Sequence, residues 1–179
     1  MACLEIIIAP DPRLKVTAAP VTKVDARIRK LLDDMLETMY AAPGIGLAAP
    51  QIGEALRVIV VDCTKEEGAR QPVRLINPEI VWASEDQAPY EEGCLSLPDH
   101  FADVTRPTEV RVRYLDDAGE VQELHATGLL AVCVQHEMDH LDGTLFVDHV
   151  SSLRRGMILK RLQKFKKIQA AERAEQKSA

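Results

Sequence analysis

The sequence has few cysteines, no long apolar run and no basic segment at its amino terminus. Its four cysteines, at positions 3, 63, 94 and 133, include no C-x-x-C pair. This spacing excludes a disulfide scaffold and favours a reducing, cytoplasmic setting with free or metal-bound thiols. Because no stretch approaches the roughly 20 apolar residues that cross a bilayer, we expect no membrane partner. We also expect no secretory signal, since its basic region is missing.

Charge is distributed unevenly along a chain whose size fits one domain. The 179 residues are 46% hydrophobic, which suffices for a core and excludes a disordered protein. The net charge is −6, but residues 151–179 hold nine basic and two acidic side chains, so residues 1–150 carry −13. We therefore predict a catalytic portion over 1–150 and a basic helix and tail over 151–179, attached to the same domain. An acidic body with a basic tail indicates a partner.

Apolar periodicity and turn residues predict a mixed α+β fold. Asp25 is a suitable cap for a first amphipathic helix, which Pro43 and Gly44 end, and Thr127 is a suitable cap for a second. The predicted elements are strands at 57–62 and 73–82 (the latter interrupted at Pro78), a loop at 64–72, a loop at 92–98, a hairpin over 110–126, a helix over 128–142 and a last helix from about 152. In this arrangement antiparallel sheets wrap around the central helix over 128–142. The last helix has an apolar stripe made of Leu153, Met157, Ile158, Leu162, Phe165 and Ile168.

The strongest chemical signal is the segment His136-Glu137-Met138-Asp139-His140. Residues four apart lie on one face of a helix, so His136 and His140 can bind one metal ion. Glu137 lies beside the first ligand, where its carboxylate can accept a proton from water at the metal. Two histidines on a polar surface helix are the alternative, but the helix is apolar just before this segment.

A tetrahedral site needs a third protein ligand, and the sequence offers three possible sources. A metzincin would have a histidine where Phe146 stands, and a thermolysin-like protease would need a later glutamate. The only later glutamates, Glu172 and Glu175, lie in the basic tail. The other soft donors are the four cysteines. Cys133, one helical turn before His136, is expected to line the site, and Cys3 and Cys63 lie in apolar stretches. We favour Cys94, which lies in a loop between Gly93 and Leu95, as the third ligand.

The segment Gly44-Ile45-Gly46-Leu47-Ala48-Ala49-Pro50-Gln51 formally satisfies the dinucleotide fingerprint G-x-G-x-x-A. That fingerprint follows a strand and opens a helix, whereas this segment follows a predicted helix and contains Pro50. We therefore interpret it as backbone that passes close to a ligand and presents the side-chain amide of Gln51.

These three segments together resemble those of peptide deformylase, the enzyme that removes the N-formyl group from nascent bacterial polypeptides. The motifs are residues 44–51, the segment Glu92-Gly93-Cys94-Leu95-Ser96, and Gln135 to His140, and the likeness extends over nearly the whole chain. The resemblance implies Cys94, His136 and His140 as ligands of one metal ion, Glu137 as general acid and base, and Gln51 and the Leu95 N–H as donors to the substrate oxygen. It implies that the substrate, including its methionine side chain, contacts Ile45, Gly46, Tyr90, Glu92, Gly93, Leu129, Val132, Cys133 and His136.

The resemblance also implies Fe²⁺ as the working metal, with Ni²⁺, Co²⁺ or Zn²⁺ as substitutes, and formyl-methionine of nascent polypeptides as substrate. Some members have an arginine where this chain has Phe101, so the contact of that arginine with the substrate backbone is in doubt here. Two other functions stay open from the residues alone: a metallopeptidase of another kind, and an inactive metal-binding or ribosome-associated adaptor. The basic helix predicts docking to ribosomal RNA, and no DNA partner is expected.

Overall fold

The computed structural model describes residues 3–64 and 69–178, except for the side chains from 173 onward. Part of the predicted loop at 64–72 therefore lies outside the described residues. The helices and strands, in chain order, are α1 (Ala26–Ala41), β1 (Gly46–Ala48), β2 (Val58–Val61), β3 (Val73–Ala83), β4 (Gln87–Cys94), β5 (Leu97–Pro107), β6 (Glu109–Leu115), β7 (Val121–Thr127), α2 (Gly128–Leu141) and α3 (Ser152–Ser178). Short 3₁₀ turns occupy Pro12–Lys15, Ala49–Ile52 and Phe146–His149.

Two antiparallel sheets surround α2. The larger has the strand order β1-β2-β3-β6-β7, and β4 and β5 form the smaller. One apolar cluster joins the larger sheet, through residues such as Ile59 and Val112, to the α2 residues Val134, Met138 and Leu141. The predicted α+β fold, with antiparallel sheets around a central helix, is confirmed.

The helix α1 begins where the sequence predicts. The carboxylate of Asp25 accepts a hydrogen bond from the Ile28 N–H at 3.1 Å, as expected of an N-cap. Its apolar face, including Leu32, Met35 and Met39, packs with Val58 and Val60 of β2. This second cluster holds α1 against β1 and β2.

Three local predictions differ from the structure. Residues 92–98 are not one loop, because Cys94 ends β4 and Leu97 begins β5. Pro78 does not interrupt β3, although the register with β6 shifts beside it. Thr127 precedes α2 as its N-cap residue, but its side chain forms no capping hydrogen bond.

The helix α3 packs on the body through part of its apolar stripe. Ile158 and Leu162 are buried with Ile7, Leu14 and Phe146. The other four members of the stripe are at least 36% exposed: Leu153, Met157, Phe165 and Ile168. Only part of the predicted stripe is therefore buried against the body. In the described part of the chain, no helix combines the length and apolarity needed to cross a membrane.

Candidate active site

Three side chains that can ligate a metal come together between α2 and the end of β4. His136 and His140 are buried on one face of α2, and Cys94 is half-buried at the last position of β4. One ligand atom from each residue lies within 4.8 Å of the others. The Cys94 Sγ and the His140 Nε2 are 3.3 Å apart. The structure thus joins residues that are more than forty positions apart in the chain.

This donor set fits one metal ion. Two donors bound to the same tetrahedral ion at about 2.0–2.3 Å lie roughly 3.5 Å from each other, close to the separation of Cys94 and His140. Burial lowers the pKa of His140 well below its usual value, which favours the neutral imidazole that a metal binds. A thiolate with two imidazoles suits Fe, Co, Ni and Zn, and does not distinguish among them.

A buried carboxylate orients the first histidine. The Nδ1–H of His136 donates to Glu92 at 2.8 Å, which leaves its Nε2 for the metal. Arg106 donates to both oxygens of Glu92 and also to Asp139. Burial alone would raise the pKa of Glu92, but the hydrogen bonds from His136 and Arg106 outweigh it and hold the pKa below its usual value. Glu92 is therefore an ionised acceptor that fixes the histidine ring.

Glu137 lies beside the three donors and is fully enclosed. Burial raises the pKa of its carboxyl to about 7, near the value that suits a general base at neutral pH. Its Oε2 is buried and has no protein hydrogen-bond partner. Gly46 is packed against it, since a Cβ at position 46 would lie 2.4 Å from the Glu137 Oε1. Only glycine at position 46 leaves room for this carboxylate.

Gln51 points its amide N–H toward the same centre. Its Oε1 accepts from the Ala48 N–H at 2.8 Å, which fixes the orientation of the amide. Its Nε2 is then 3.5 Å from the Cys94 Sγ and donates to the Ser96 Oγ at 3.1 Å. Leu95 follows Cys94 directly, at the turn from β4 to β5, so its backbone N–H lies one residue from the thiol.

A small cavity of about 100 Å³ opens beside these groups. Its lining comprises Ile45, Tyr90, Glu91, Glu92, Gly93, Leu129, Val132, Cys133, His136 and Glu137. All the residues that the sequence assigned to substrate contacts line it except Gly46, which lies against Glu137 and Cys133. The lining is mainly apolar, as the pocket of an unbranched apolar side chain requires.

Phe101 lies at the rim of this cavity. It pairs with Gly93 across β4 and β5, and its ring covers that glycine, because a Cβ at position 93 would meet the ring at 2.6 Å. The side chain is 57% exposed. Position 101 is thus beside the cavity, but it offers an apolar ring and no guanidinium.

Sequence reasoning missed four residues that support the site. Arg106 and Asp139 hold Glu92, Ser96 holds Gln51, and the Phe146 ring stacks on His136 with centroids 6.3 Å apart. A strand prediction over 97–107 would have placed Arg106 on the inward face with Ala102 and Val104, where a charge needs a partner. Phe146 occupies the position of a metzincin's third histidine, and here its ring packs against His136.

The chain resembles known proteins over most of its length. The family described as Polypeptide deformylase matches residues 3–156. A peptide deformylase of Phenylobacterium zucineum is 57% identical over 167 residues, which cover 93% of this chain and 99% of that protein. The crystal structure of peptide deformylase from Ehrlichia chaffeensis, in complex with actinonin, matches with a TM-score of 0.88 and 42% identity, covering 92% of this chain and 98% of that one. A peptide deformylase structure from Legionella pneumophila matches with a TM-score of 0.88 and 44% identity, covering 94% of this chain and 98% of that one.

Proposed function

The chain belongs to the polypeptide deformylase family, and from that premise we propose which of its residues carry out the reaction. The enzyme is a metal-dependent hydrolase that removes the N-terminal formyl group from nascent polypeptides. We propose Cys94, His136 and His140 as the metal ligands. The observation that carries this proposal is the convergence of their ligand atoms within 4.8 Å, next to a buried glutamate.

The bound metal is proposed to be Fe²⁺, one ion per chain, with Zn²⁺, Ni²⁺ or Co²⁺ as substitutes. When bound, the ion polarises the formyl oxygen and makes water more acidic. Glu92 holds His136 in the tautomer whose Nε2 would be free to bind the ion, since the Nδ1–H donates to the carboxylate at 2.8 Å. The metal would supply the Lewis-acid chemistry, and Glu92 and His136 would fix the direction in which the histidine nitrogen points.

Glu137 is proposed to move the protons of the reaction. As a carboxylate it accepts a proton from the attacking water, and it then gives that proton to the departing amine as the C–N bond breaks. A pKa of about 7 allows both roles near neutral pH. Formate and a peptide with a free amino terminus are the products.

Gln51 and Leu95 are proposed to stabilise the negative charge that develops on the formyl oxygen. The Gln51 amide is already oriented by the Ala48 N–H, so little reorganisation is needed during the reaction. One preorganised donor of this kind typically contributes about 2.7–4 kcal/mol to transition-state stability.

The substrate side chain is proposed to enter the cavity beside the metal site. The residues that would contact the substrate are Ile45, Gly46, Tyr90, Glu92, Gly93, Leu129, Val132, Cys133 and His136. Most of them line one apolar cavity, which suits the flexible, unbranched side chain of methionine. Because position 101 is Phe, no guanidinium from that position reaches the substrate backbone.

Residues 1–150 are proposed as the catalytic portion, and residues 151–179 as a basic helix and tail that docks to ribosomal RNA. From 151 to 167 the chain has seven basic side chains and no acidic one. Lys160, Arg161, Lys164 and Lys167 are exposed on α3. They supply the positive surface that RNA phosphates attract, and the nascent-chain substrate makes a ribosomal location useful.

Release of formate from a formyl-Met dipeptide tests the function. With Fe²⁺ under anaerobic conditions we expect turnover of the formyl peptide and none of acetyl-Met or unmodified peptides, which a general metallopeptidase would cleave. Glu137→Gln should keep the metal and lose about 10²–10⁴-fold in kcat, whereas Cys94→Ala should lose the metal. Full metal occupancy in Cys94→Ala would show that another residue is the third ligand. Undiminished activity in Glu137→Gln would show that Glu137 is not the base.

A further inference from the structure

An exposed histidine lies at the outer end of the hydrogen bonds that support the proposed metal site. His149 is the last residue of the 3₁₀ turn Phe146–His149, and its side chain is 36% exposed. Its Nε2 lies 2.8 Å from the Asp139 Oδ2. Asp139 is also paired with Arg106, and an ionised carboxylate only accepts hydrogen bonds. The His149 Nε2 therefore carries a hydrogen and donates it to Asp139.

Arg106 continues the connection from Asp139 to the interior. Its Nη2 is 2.9 Å from the Asp139 Oδ2 and 3.0 Å from the Glu92 Oε2. This nitrogen has two hydrogens, one for each carboxylate, so both carboxylates set its position. The Glu92 Oε2 in turn accepts from the His136 Nδ1 at 2.8 Å. Four hydrogen bonds thus form one path, which joins His149, Asp139, Arg106, Glu92 and His136.

Neighbouring bonds of this path share an atom, so the position of one group affects the next. The exposed fraction of the side chains falls inward, from 36% at His149 and 26% at Asp139 to 7% at Arg106 and 3% at Glu92. Asp139 is therefore the carboxylate of the path that water can reach. Without the His149 bond, water takes that place on Asp139, and the carboxylate is less firmly fixed in front of Arg106. Hydrogen bonds in a buried network strengthen one another, so the hold of Glu92 on His136 weakens too.

The 3₁₀ turn that carries His149 is itself anchored beside the metal site. Phe146, at the start of the turn, is buried, and its ring stacks on that of His136 with centroids 6.3 Å apart. Val147 is fully buried in the same cluster. The backbone before His149 is thereby held in place, so its imidazole is presented to Asp139 with little freedom to move away.

We propose that His149 is a positioning residue for the metal site. It acts from the surface along the path of hydrogen bonds and fixes the orientation of His136. The inference rests on the proposed function, since it takes His136 to be a metal ligand. Residues that orient metal ligands typically contribute about 10–100-fold to metal affinity. Because His149 lies at the outer end of the path, we expect about tenfold, the lower end of this range.

The rate of metal release tests the role of His149. The enzyme is loaded with Co²⁺ under anaerobic conditions and mixed with excess EDTA, and the visible absorption of the bound ion is followed with time. We expect His149→Leu to release Co²⁺ about tenfold faster than the parent enzyme. His149→Gln, which keeps an N–H donor for Asp139, should release it at close to the parent rate. Equal rates for the parent enzyme and His149→Leu would overturn the proposal.

His125 provides a matched control for the loss of a histidine. Its Nε2 lies 2.8 Å from the Glu109 Oε2, the same distance as in the pair of His149 and Asp139, and it is also exposed. This pair joins β6 and β7 of the larger sheet and is not part of the path. His125→Leu should therefore release Co²⁺ at the parent rate. Equal acceleration in His125→Leu and His149→Leu would contradict a specific role for His149.

A double variant tests whether the effect passes through Asp139. Asp139→Ala cuts the path after its first bond, so adding His149→Leu should not accelerate release further. A second tenfold acceleration in the double variant would overturn the proposed path. A parent enzyme that binds no Co²⁺ would contradict the proposed metal ligands, and this inference with them. A Co²⁺-loaded parent enzyme that releases no formate from a formyl-Met peptide would contradict only the proposed reaction, and the release rates would still decide the role of His149.

Discussion

His136 and His140 face the same side of α2 because they are one helical turn apart, and Glu137 is directed to the same centre by packing against Gly46. The remaining donor, Cys94, lies at the end of β4 in the smaller sheet. Glu92 and Gln51 each have one atom fixed by a neighbour, the first by Arg106 and the second by the Ala48 N–H. At the residue scale the site is therefore an arrangement of preoriented side chains.

Gln51 should contribute to the transition state and little to substrate binding. Gln51→Glu retains an oxygen that can accept from the Ala48 N–H, but it loses the N–H that would face the formyl oxygen. We expect kcat to fall by about 10²–10³-fold, with a smaller change in KM, in steady-state assays of formate release. Ser96→Ala, which removes only the acceptor of the Gln51 Nε2, should cost much less. An equal loss in the two variants would contradict a donor role.

At the scale of elements, a buried ion network ties β4, β5 and α2 together. Arg106 on β5 donates to Glu92 on β4 and to Asp139 on α2, and the first pair is almost fully enclosed. A charge in such a place depends on its partner, because water cannot solvate it.

Removing Arg106 should destabilise the protein strongly. Arg106→Leu leaves the Glu92 carboxylate buried without its cation, so we expect the free energy of unfolding to fall by about 3–5 kcal/mol in urea denaturation. Arg113→Leu is the matched control, since its ion pair with Glu79 is exposed, and it should cost less than about 1 kcal/mol. A similar small effect in both variants would show that the network contributes little.

Gly143, two residues after the end of α2, provides a second test at this scale. Gly143 has a φ of 70°, and a Cβ there would lie 2.6 Å from the Lys15 carbonyl oxygen. Gly143→Ala should therefore lower stability by at least about 1–2 kcal/mol from the backbone conformation alone. Gly156→Ala is the control, because it lies within α3 with nothing within 4 Å of the added Cβ. Gly156→Ala should raise the free energy of unfolding by about 0.5–1 kcal/mol. Thermal unfolding of the two variants should therefore show a lower midpoint for Gly143→Ala and a higher one for Gly156→Ala.

At the scale of the whole molecule, α3 combines a packed segment with a basic exposed face. Ile158 and Leu162 enter the core, so deleting the helix would expose apolar surface as well as remove charge. Replacement of exposed charges is therefore the better test of ribosome docking.

Neutralising α3 should weaken binding to ribosomes without unfolding the enzyme. We expect the parent enzyme to co-sediment with ribosomes in a manner that falls steeply with salt. The variant Lys160→Gln, Arg161→Gln, Lys164→Gln, Lys167→Gln should lose this binding. A control with the same change of net charge replaces exposed residues of the body: Lys23, Arg27, Arg111 and Arg113. Equal pelleting of the two variants would contradict docking through α3.

Much of the fold was predictable because local sequence patterns specify its elements. The amphipathic spacing of α1, its Asp25 cap and the alternation of β6 each depend on residues close in the chain. The pair β4 and β5 was not predictable in this way. Residues 87–91 of β4 are all exposed. A strand without an alternating apolar face has no clear signature in the sequence.

The sequence by itself determined the helical placement of two histidines and a glutamate, since a spacing of four residues sets the face of a helix. Through likeness to a family, it also predicted Cys94 as the third donor. Only the tertiary structure decided which side chains hold those groups and how much of α3 packs on the body. These outcomes depend on contacts between segments distant in the chain, and such contacts arise from the packing of whole elements, which local periodicity does not specify.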